Sequence, residues 1–410
     1  MAYRILVVAD FFYPSLGGSA RVIGESAQAL RRLGHDVWIV AGTEDPHLPL
    51  REDLDGLHVV RYRFSSATTL HLNATAIVNG ARAVDETIRQ HGPFDVLHSH
   101  GVYGATGVLL TRRGRALPRV STFHGPVHHE FEVASGARDF SRRQLRGRIQ
   151  PAFIRAYSRW LRLLQARVVG SAPCVVLSRY AAGLLQAMAP RCAPDSVRVI
   201  PGGVDLERFR PSDRAATRAG LSLSAHHPLV LSVRRLVPRM GLEDLLDAFA
   251  AVRAQGSAAR LIVGGKGGLA GRLRQRADDL GLDGSVDFPG LIPEPLLASY
   301  YQSADLFVVP SRSLEGFGLV TLEALACGTP VVATRVGGNV EILGALGEEF
   351  LVDPEAPAQL AGAIVDLLDR GARDRGLRER CRSFAEERYS WGLAAQRLSA
   401  LYDEITTAGR

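Results

Sequence analysis

The chain has 410 residues, 46% hydrophobic and 22% charged, an ordinary composition for a soluble protein of two or three domains. No apolar run approaches the roughly 18 residues that a bilayer span requires. The net charge of +7 is spread along the chain and is almost all Arg, Lys266 being the only Lys; it favours anionic ligands, but no basic tail or recognition motif points to nucleic acid.

Cys174, Cys192, Cys327 and Cys381 lie far apart without a C-x-x-C and read as free thiols of a reducing cytoplasm. The opening M-A-Y-R-I-L-V-V-A-D is strand-length and ends in Asp10, so it reads as a first strand rather than a signal peptide. The expected location is cytoplasmic, with any membrane met from the side.

Residues 5–9 form a near-continuous apolar run, as in a strand buried on both faces of a parallel sheet. A loop with Pro14, Gly17 and Gly18 follows. Then comes a helix with Val22, Ile23, Ala27, Leu30 and Leu33 on one face, stopped by Gly34. Residues 37–41 are the next strand, so the chain opens with a β-α-β unit of a doubly wound α/β domain. The loop lacks G-x-G-x-x-G, which argues against ordinary dinucleotide binding. Strands are expected at 59–62, 96–98, 120–123, 175–177 and 197–200, and helices at 73–89 and 102–112.

The basic stretch 138–167, from Arg138 to Arg167, contains Pro151, which can open a helix with Phe153, Tyr157, Trp160 and Leu164 on one face. It reads as a solvated surface helix or as a contact for an anionic acceptor or lipid headgroup. Turn residues at 201–211 mark an interdomain hinge. The α/β pattern then restarts, with strands at 229–233, 260–263 and 286–288 and helices at 242–253, 270–280 and 296–303. The expected fold is therefore α/β, with two Rossmann-like doubly wound domains, 1–205 and 206–387, facing across a cleft, and a last segment 388–410 holding a helix at 393–405.

The most informative stretch is 310–333, P-S-R-S-L-E-G-F-G-L-V-T-L-E-A-L-A-C-G-T-P-V-V-A. A strand at 304–309 runs into a turn-rich loop, and a helix starts near Phe317 or Gly318 and ends at Gly328. Glu315 precedes the helix and Glu323 lies inside it. Gly316 and Gly318 bare the N–H groups of the helix N-terminus, which together with the helix dipole suit an anion. A diphosphate there, with a carboxylate on each side, matches a nucleotide-sugar. Other residues sit where strands give way to loops: Gly17 and Gly18, His124, and Arg234 with Arg235. Taken singly, Glu315 also fits a carboxylate at a helix start, Glu323 a surface position, His124 a structural histidine and the two Arg plain surface residues. His98, His100, His124, His128, His129 and Glu130 do not have the H-E-x-x-H spacing, and no metal is expected.

These motifs resemble the family-4 glycosyltransferases of the GT-B fold. The matching residues are G-G at 17–18, L-x-x-L-G-H-D-V at 30–37, T-F-H-G at 122–125, P-G-G-V-D at 201–205, R-R-L at 234–236, Gly241, A-D-L-F-V-V-P-S at 304–311, and the two-Glu run with C-G-T-P-V-V-A. The resemblance spans essentially the whole chain. It implies transfer of a hexose or N-acetylhexosamine from a nucleotide-diphosphate sugar to a hydroxyl acceptor with retained configuration, and a C-terminal helix packing back on the first domain. Glu323 would hold the ribose, Glu315 and His124 the donor sugar near the reacting carbon, and Arg235 the leaving diphosphate. Arg234 and the segment Gly316, Phe317, Gly318, Leu319 and Val320 would also line the donor site, and Gly17 and Gly18 would face diphosphate and acceptor. No cofactor or metal is implied. A peripheral contact at the inner face of an anionic membrane would use the 138–167 region.

Two departures stand out. The family pattern G-R-L-x-x-x-K-G has a Lys before its Gly, where this chain has Met240; Arg239 or Lys266 is the expected source of the missing charge. In P-G-G-V-D, Gly202 replaces the more usual Asn. An epimerase or phosphorylase of the same fold, or a sugar-nucleotide-binding protein without catalysis, are the alternative functions. Residues 289–293 would select among uridine and guanosine donors, and the loop 126–150 would shape the acceptor site.

Overall fold

The computed structural model describes residues 1–14, 17–65, 69–136, 149–374 and 376–408. The chain divides into two compact units, Met1–Gly202 with Trp391–Arg410, and Gly203–Ser390.

In the first unit β1 (Arg4–Ala9), β2 (Asp36–Thr43), β3 (Arg51–Leu54), β4 (Leu57–Arg63), β5 (Val96–His100), β6 (Arg119–Phe123), β7 (Cys174–Val176) and β8 (Val197–Val199) make one sheet. Its order is β3-β4-β2-β1-β5-β6-β7-β8. Neighbours are parallel except β3 and β4. The apolar runs of β1 and β5 are buried because helices cover both faces of a parallel sheet. β3 is absent from the sequence expectations because R-E-D-L has no apolar run. The signal that marks it is the Asp55-Gly56 turn, with both residues at positive φ, which returns the chain antiparallel onto β4. The helix expected at 102–112 is two helices, Tyr103–Leu110 and Arg112–Ala116. Thr111 breaks it by adopting extended backbone and capping the second helix, its Oγ1 accepting from Gly114 N at 3.1 Å.

The last helix, Trp391–Ala408, packs in this first unit against the helix Gly18–Arg32. Tyr402 anchors it. The ring is fully buried, and its hydroxyl lies 2.7 Å from His98 Nδ1 on β5.

The second unit holds β9 (Leu229–Val233), β10 (Arg260–Gly264), β11 (Val286–Gly290), β12 (Leu306–Val309), β13 (Val331–Thr334) and β14 (Leu351–Val352) in the order β11-β10-β9-β12-β13-β14. All pairs are parallel. The chain winds outward one way from β9, then returns to lay β12 on its other side. Between β9 and β12 the loops therefore leave in opposite directions, and the carboxyl ends of these two strands open a crevice suited to a ligand. The expected strand at 304–309 begins only at Leu306. Asp305 instead turns its carboxylate to Leu229 N (2.7 Å) and the Arg218 guanidinium (2.6 Å). The helix after β12 is Leu319–Ala326, with Gly318 as its N-cap and Gly328 at φ 72° just beyond its end.

Gly241, at φ 65°, opens the helix Leu242–Ala254 beside β12, and a Cβ there would lie 1.8 Å from the carbonyl oxygen of Pro310. Gly241→Ala combines a left-handed conformation with a backbone clash, and is expected to destabilise the second unit by roughly 2–5 kcal/mol. Urea denaturation of the variant against the parent protein measures it.

Candidate active site

The crevice of the second unit is walled by the loops after β9, β12 and β13. The β12 loop, 310–318, is held from both sides through main chain. Arg312 N donates to Arg239 O (2.8 Å), and Gly338 N donates to Glu315 O (2.9 Å). Gly337, at φ 61°, makes the second approach possible, since a Cβ there would stand 1.8 Å from Glu315 O. Leu314 sits at φ 55°, a conformation that costs a non-glycine residue about 1–3 kcal/mol. The Arg239 guanidinium donates to its carbonyl at 3.1 Å and fixes it there. The loop is thus immobilised around the residue that follows, Glu315.

The Glu315 side chain is 12% exposed and its carboxylate is ion-paired with the Arg234 guanidinium, and the same oxygen accepts from Ser311 Oγ at 2.9 Å. Burial alone would push this carboxyl up, but the charge and hydrogen bond of Arg234 outweigh it and hold the group below the usual carboxylate range. Arg234 is itself buried. Its Nε lies 3.2 Å from Met240 Sδ, and its Nη1 has no hydrogen-bond partner among the described residues. Arg235, one position on, is exposed. Lys266 is exposed in the loop after β10, where its carbonyl accepts from Leu236 N at 2.9 Å. A cavity of about 280 Å³ opens there, between Leu236, Lys266, Arg274, Phe288 and Gly290.

Glu323 is 3% exposed, so it is not the surface residue of an amphipathic helix. One of its oxygens accepts from the hydroxyl of the fully buried Tyr301 at 2.8 Å. At the start of the same helix, Thr321 Oγ1 lies 2.8 Å from Asn339 Oδ1, and Asn339 Nδ2 is buried without a partner among the described residues. An unpaired buried donor beside unpaired helix N–H groups makes this end of the helix receptive to an anion.

In the first unit, His124 directly follows β6 and its Nε2 lies 3.0 Å from Nδ1 of His100, the last residue of β5. His98, two residues earlier on β5, is pinned between Tyr402 Oη and Thr122 Oγ1, each at 2.7 Å. Burial holds all three imidazoles neutral, His98 at about 3, His124 at about 4 and His100 well below the ordinary value. In a neutral pair one nitrogen donates and the other accepts, so His100 fixes the ring of His124 without adding charge. The loop after His124 is clamped from the helix Ile149–Val169, where Gln165 accepts from Val127 N (3.1 Å) and donates to Gly125 O (2.9 Å). On the neighbouring strand, Asp10 directly follows β1 and takes the N–H groups of Val102 and Gly104 at 2.7 and 2.8 Å, tying that loop to the one after β5. Gly17 and Gly18 stand at the start of the helix Gly18–Arg32, with open space where a Cβ would be.

The helix Ile149–Val169 has no acidic residue. Phe153, Trp160 and Leu163 are exposed on it, at 50%, 37% and 63%, among exposed Arg155, Arg159 and Arg167. The rest of the basic stretch, residues 138–148, lies outside the described residues.

Among the described residues no group of three or more His, Cys, Asp and Glu is placed to hold a metal ion. No helix is long and apolar enough to cross a membrane among them. The residues of the candidate site missed by sequence reasoning are Ser311, Tyr301, Asn339 and Gln165. Ser311 was within reach, being the second residue past a strand end. Gln165 carried no signal, because it meets Gly125 only through the tertiary fold.

Two family models match the chain, Glycosyltransferase Family 4 over residues 16–208 and Glycosyl transferases group 1 over residues 213–388. A D-inositol 3-phosphate glycosyltransferase from Catenulispora acidiphila is 33% identical over 96% of this chain and 92% of its own. The chain belongs to the family-4 glycosyltransferases. A D-inositol 3-phosphate glycosyltransferase from Thermobispora bispora is 31% identical over 95% of this chain and 90% of its own. Among solved structures, sucrose-phosphate synthase from Thermosynechococcus elongatus superposes with a TM-score of 0.80 at 24% identity, covering 99% of this chain and 100% of that one. Anabaena Alr3699/HepE, in complex with UDP-glucose, gives 0.72 at 18% identity over 98% and 99%. The glycosyltransferase therefore has two parallel-sheet α/β units of the GT-B type.

Native His98 stays neutral down to about pH 3, whereas an unfolded His takes up its proton near 6.5. Between those values the unfolded chain binds more protons, so stability falls as pH drops below 6.5. His98→Gln is expected to remove up to about 1.4 kcal/mol per pH unit of that slope. Denaturant titrations between pH 7 and 4 on both proteins check it.

Proposed function

We propose that the enzyme is a retaining, metal-independent glycosyltransferase that moves a hexose or N-acetylhexosamine from a nucleotide-diphosphate sugar to a hydroxyl acceptor, forming an α-glycoside. The observation that carries the reading is the immobilised, ion-paired Glu315 at the β9/β12 crevice, next to the N-terminus of the helix Leu319–Ala326. The bound ligands named for the fold neighbours point the same way, UDP-glucose for Anabaena Alr3699/HepE and ADP with acarbose for a starch synthase from Arabidopsis thaliana.

In this reading the diphosphate lies against the N–H groups of Gly316 to Val320, with Arg235 as its exposed cation. Charge grows on the leaving phosphate as the bond from the sugar breaks, and fixed N–H donors and an Arg stabilise that state most. Glu315 accepts from donor-sugar hydroxyls, Glu323 with Tyr301 receives the ribose, and the cavity beside Lys266 and Phe288 takes the base. In the first unit, neutral His124 can donate to or accept from a sugar hydroxyl, and Gly17 and Gly18 leave open space beside the main chain. The acceptor oxygen attacks the face that the phosphate leaves. A new carbon–oxygen bond replaces the old one on the same side, and the acceptor proton passes to the departing phosphate oxygen. The names of the relatives make D-inositol 3-phosphate the first acceptor to try.

A nucleoside diphosphate at a hundred times its Kd should raise the melting temperature by roughly 5–11 °C. UDP, GDP, ADP and TDP with their sugars form the panel. Glu323→Ala should abolish the shift; a shift that survives it removes the ribose assignment. Glu315→Gln should lower kcat by about 10²–10³-fold with little change in binding of the free diphosphate. Activity should persist in EDTA, and the product should be the α-anomer by NMR. Turnover of the donor sugar without any acceptor would point instead to an epimerase.

The exposed Phe153, Trp160 and Leu163 among arginines suit an anionic bilayer surface, where apolar side chains enter the interface and Arg meets phosphate. Co-sedimentation with phosphatidylglycerol vesicles but not phosphatidylcholine vesicles, weakened in Trp160→Ala/Leu163→Ala, is the expected result.

A further inference from the structure

We infer that a cation of the donor site has changed its place in the sequence: Arg234, paired with Glu315, supplies from position 234 the positive charge that the family pattern supplies to the diphosphate from position 240. The inference rests on the donor-site reading above and concerns which residue carries that site's buried charge.

The pattern G-R-L-x-x-x-K-G puts no side chain at its first position and a cation at its seventh. In this chain those positions are Arg234 and Met240, so both have changed at once. The fold shows why the two changes belong together. Met240 is buried, and its sulfur lies 3.2 Å from Arg234 Nε, so the two side chains share one space behind Glu315. The guanidinium reaches past the thioether to ion-pair with the Glu315 carboxylate. A lysine at 240 would bring a second cation into this space and repel the first. Methionine is uncharged, flexible and polarisable, and its sulfur weakly accepts an N–H.

The two residues expected to replace the charge do not take the place of Arg234. One Arg239 nitrogen holds the Leu314 carbonyl, and its charge acts on Glu315 less than that of Arg234; Lys266 is exposed on the loop after β10. Arg234 also keeps a donor in reserve. Its Nη1 is buried without a partner among the described residues, a state that is unfavourable unless a ligand oxygen completes it. A phosphate oxygen at this crevice is the complementary acceptor.

The test is a double-mutant cycle with Arg234→Gly, Met240→Lys and the double variant, each read for melting temperature and for binding of UDP, GDP and uridine. Arg234→Gly leaves Glu315 buried without its cation and should lower the melting temperature by roughly 6–20 °C. It should also weaken the preferred nucleoside diphosphate about tenfold or more while leaving uridine unchanged, a charge-specific effect that a packing defect would not produce. Met240→Lys alone should lower stability by crowding two cations. The double variant should recover at least half of the melting temperature lost in Arg234→Gly and bind the diphosphate within about threefold of the parent protein. If Arg234→Gly does not fold, return of folded protein on adding Met240→Lys supports the exchange. A double variant no better than Arg234→Gly overturns it, as does an Arg234→Gly protein with undiminished stability and diphosphate affinity. Failure of the parent protein to bind any nucleoside diphosphate would remove the donor-site reading, while the stability cycle alone still decides the exchange.

Discussion

The interaction on which the second unit's site depends is the buried ion pair between Arg234 and Glu315. Removing one partner of such a pair leaves a largely desolvated charge without its nearest counter-charge, at a cost of up to about 3–5 kcal/mol. The pair is therefore self-enforcing, since each residue makes the other's burial tolerable. It also joins the loop after β9 to the loop after β12, the two that diverge at the crevice. A strand order that opens a crevice and an ion pair that bridges its walls together give a rigid, polar-lined depression.

Rigidity here comes from main chain more than from side chains. Gly241 and Gly337 let the β12 loop approach its neighbours more closely than any Cβ would allow. Arg239 spends its guanidinium on a carbonyl and keeps Leu314 in its unusual conformation. Glu315 follows at once, so its carboxylate starts from a backbone with little freedom. A backbone set before a ligand arrives spares the cost of ordering it at binding.

Much of this was legible in the sequence because it is written locally. The apolar runs of the sheet strands, the glycine past the helix at Gly328 and the Glu315–Glu323 spacing are all short-range patterns, and they located the fold class and the stretch that matters. The antiparallel strand Arg51–Leu54 was not read, because its pairing follows from the Asp55-Gly56 turn and not from hydrophobicity. The pairing of Arg234 with Glu315 was not read either, because which cation reaches a carboxylate depends on the side of a strand end from which it leaves. Arg234 and Arg235 are adjacent, and only the fold distinguishes the buried one from the exposed one. Gln165 and Tyr402 act across dozens of residues and leave no local trace.

The two units solve different electrostatic problems with different means. In the second, a carboxylate is kept charged by an adjacent guanidinium, which suits a site for polar, ionised ligand groups. In the first, His98 and His100 are buried and His124 half-buried, with no carboxylate acting on them among the described residues. The first-unit cluster therefore stays neutral, its rings oriented by hydrogen bonds to Tyr402, Thr122 and one another. A neutral imidazole can face a sugar hydroxyl as donor or acceptor without stabilising a bare charge, and without attracting a stray anion in place of the substrate. Tyr402 gives the arrangement a further consequence. The hydroxyl that orients His98 belongs to the last helix of the chain, so the cluster is completed only when the C-terminal segment has packed onto β5. Order at the end of β5 and β6 is thus tied to completion of the whole first unit, and a chain that ends before Tyr402 would leave His98 Nδ1 without its partner while Nε2 keeps Thr122.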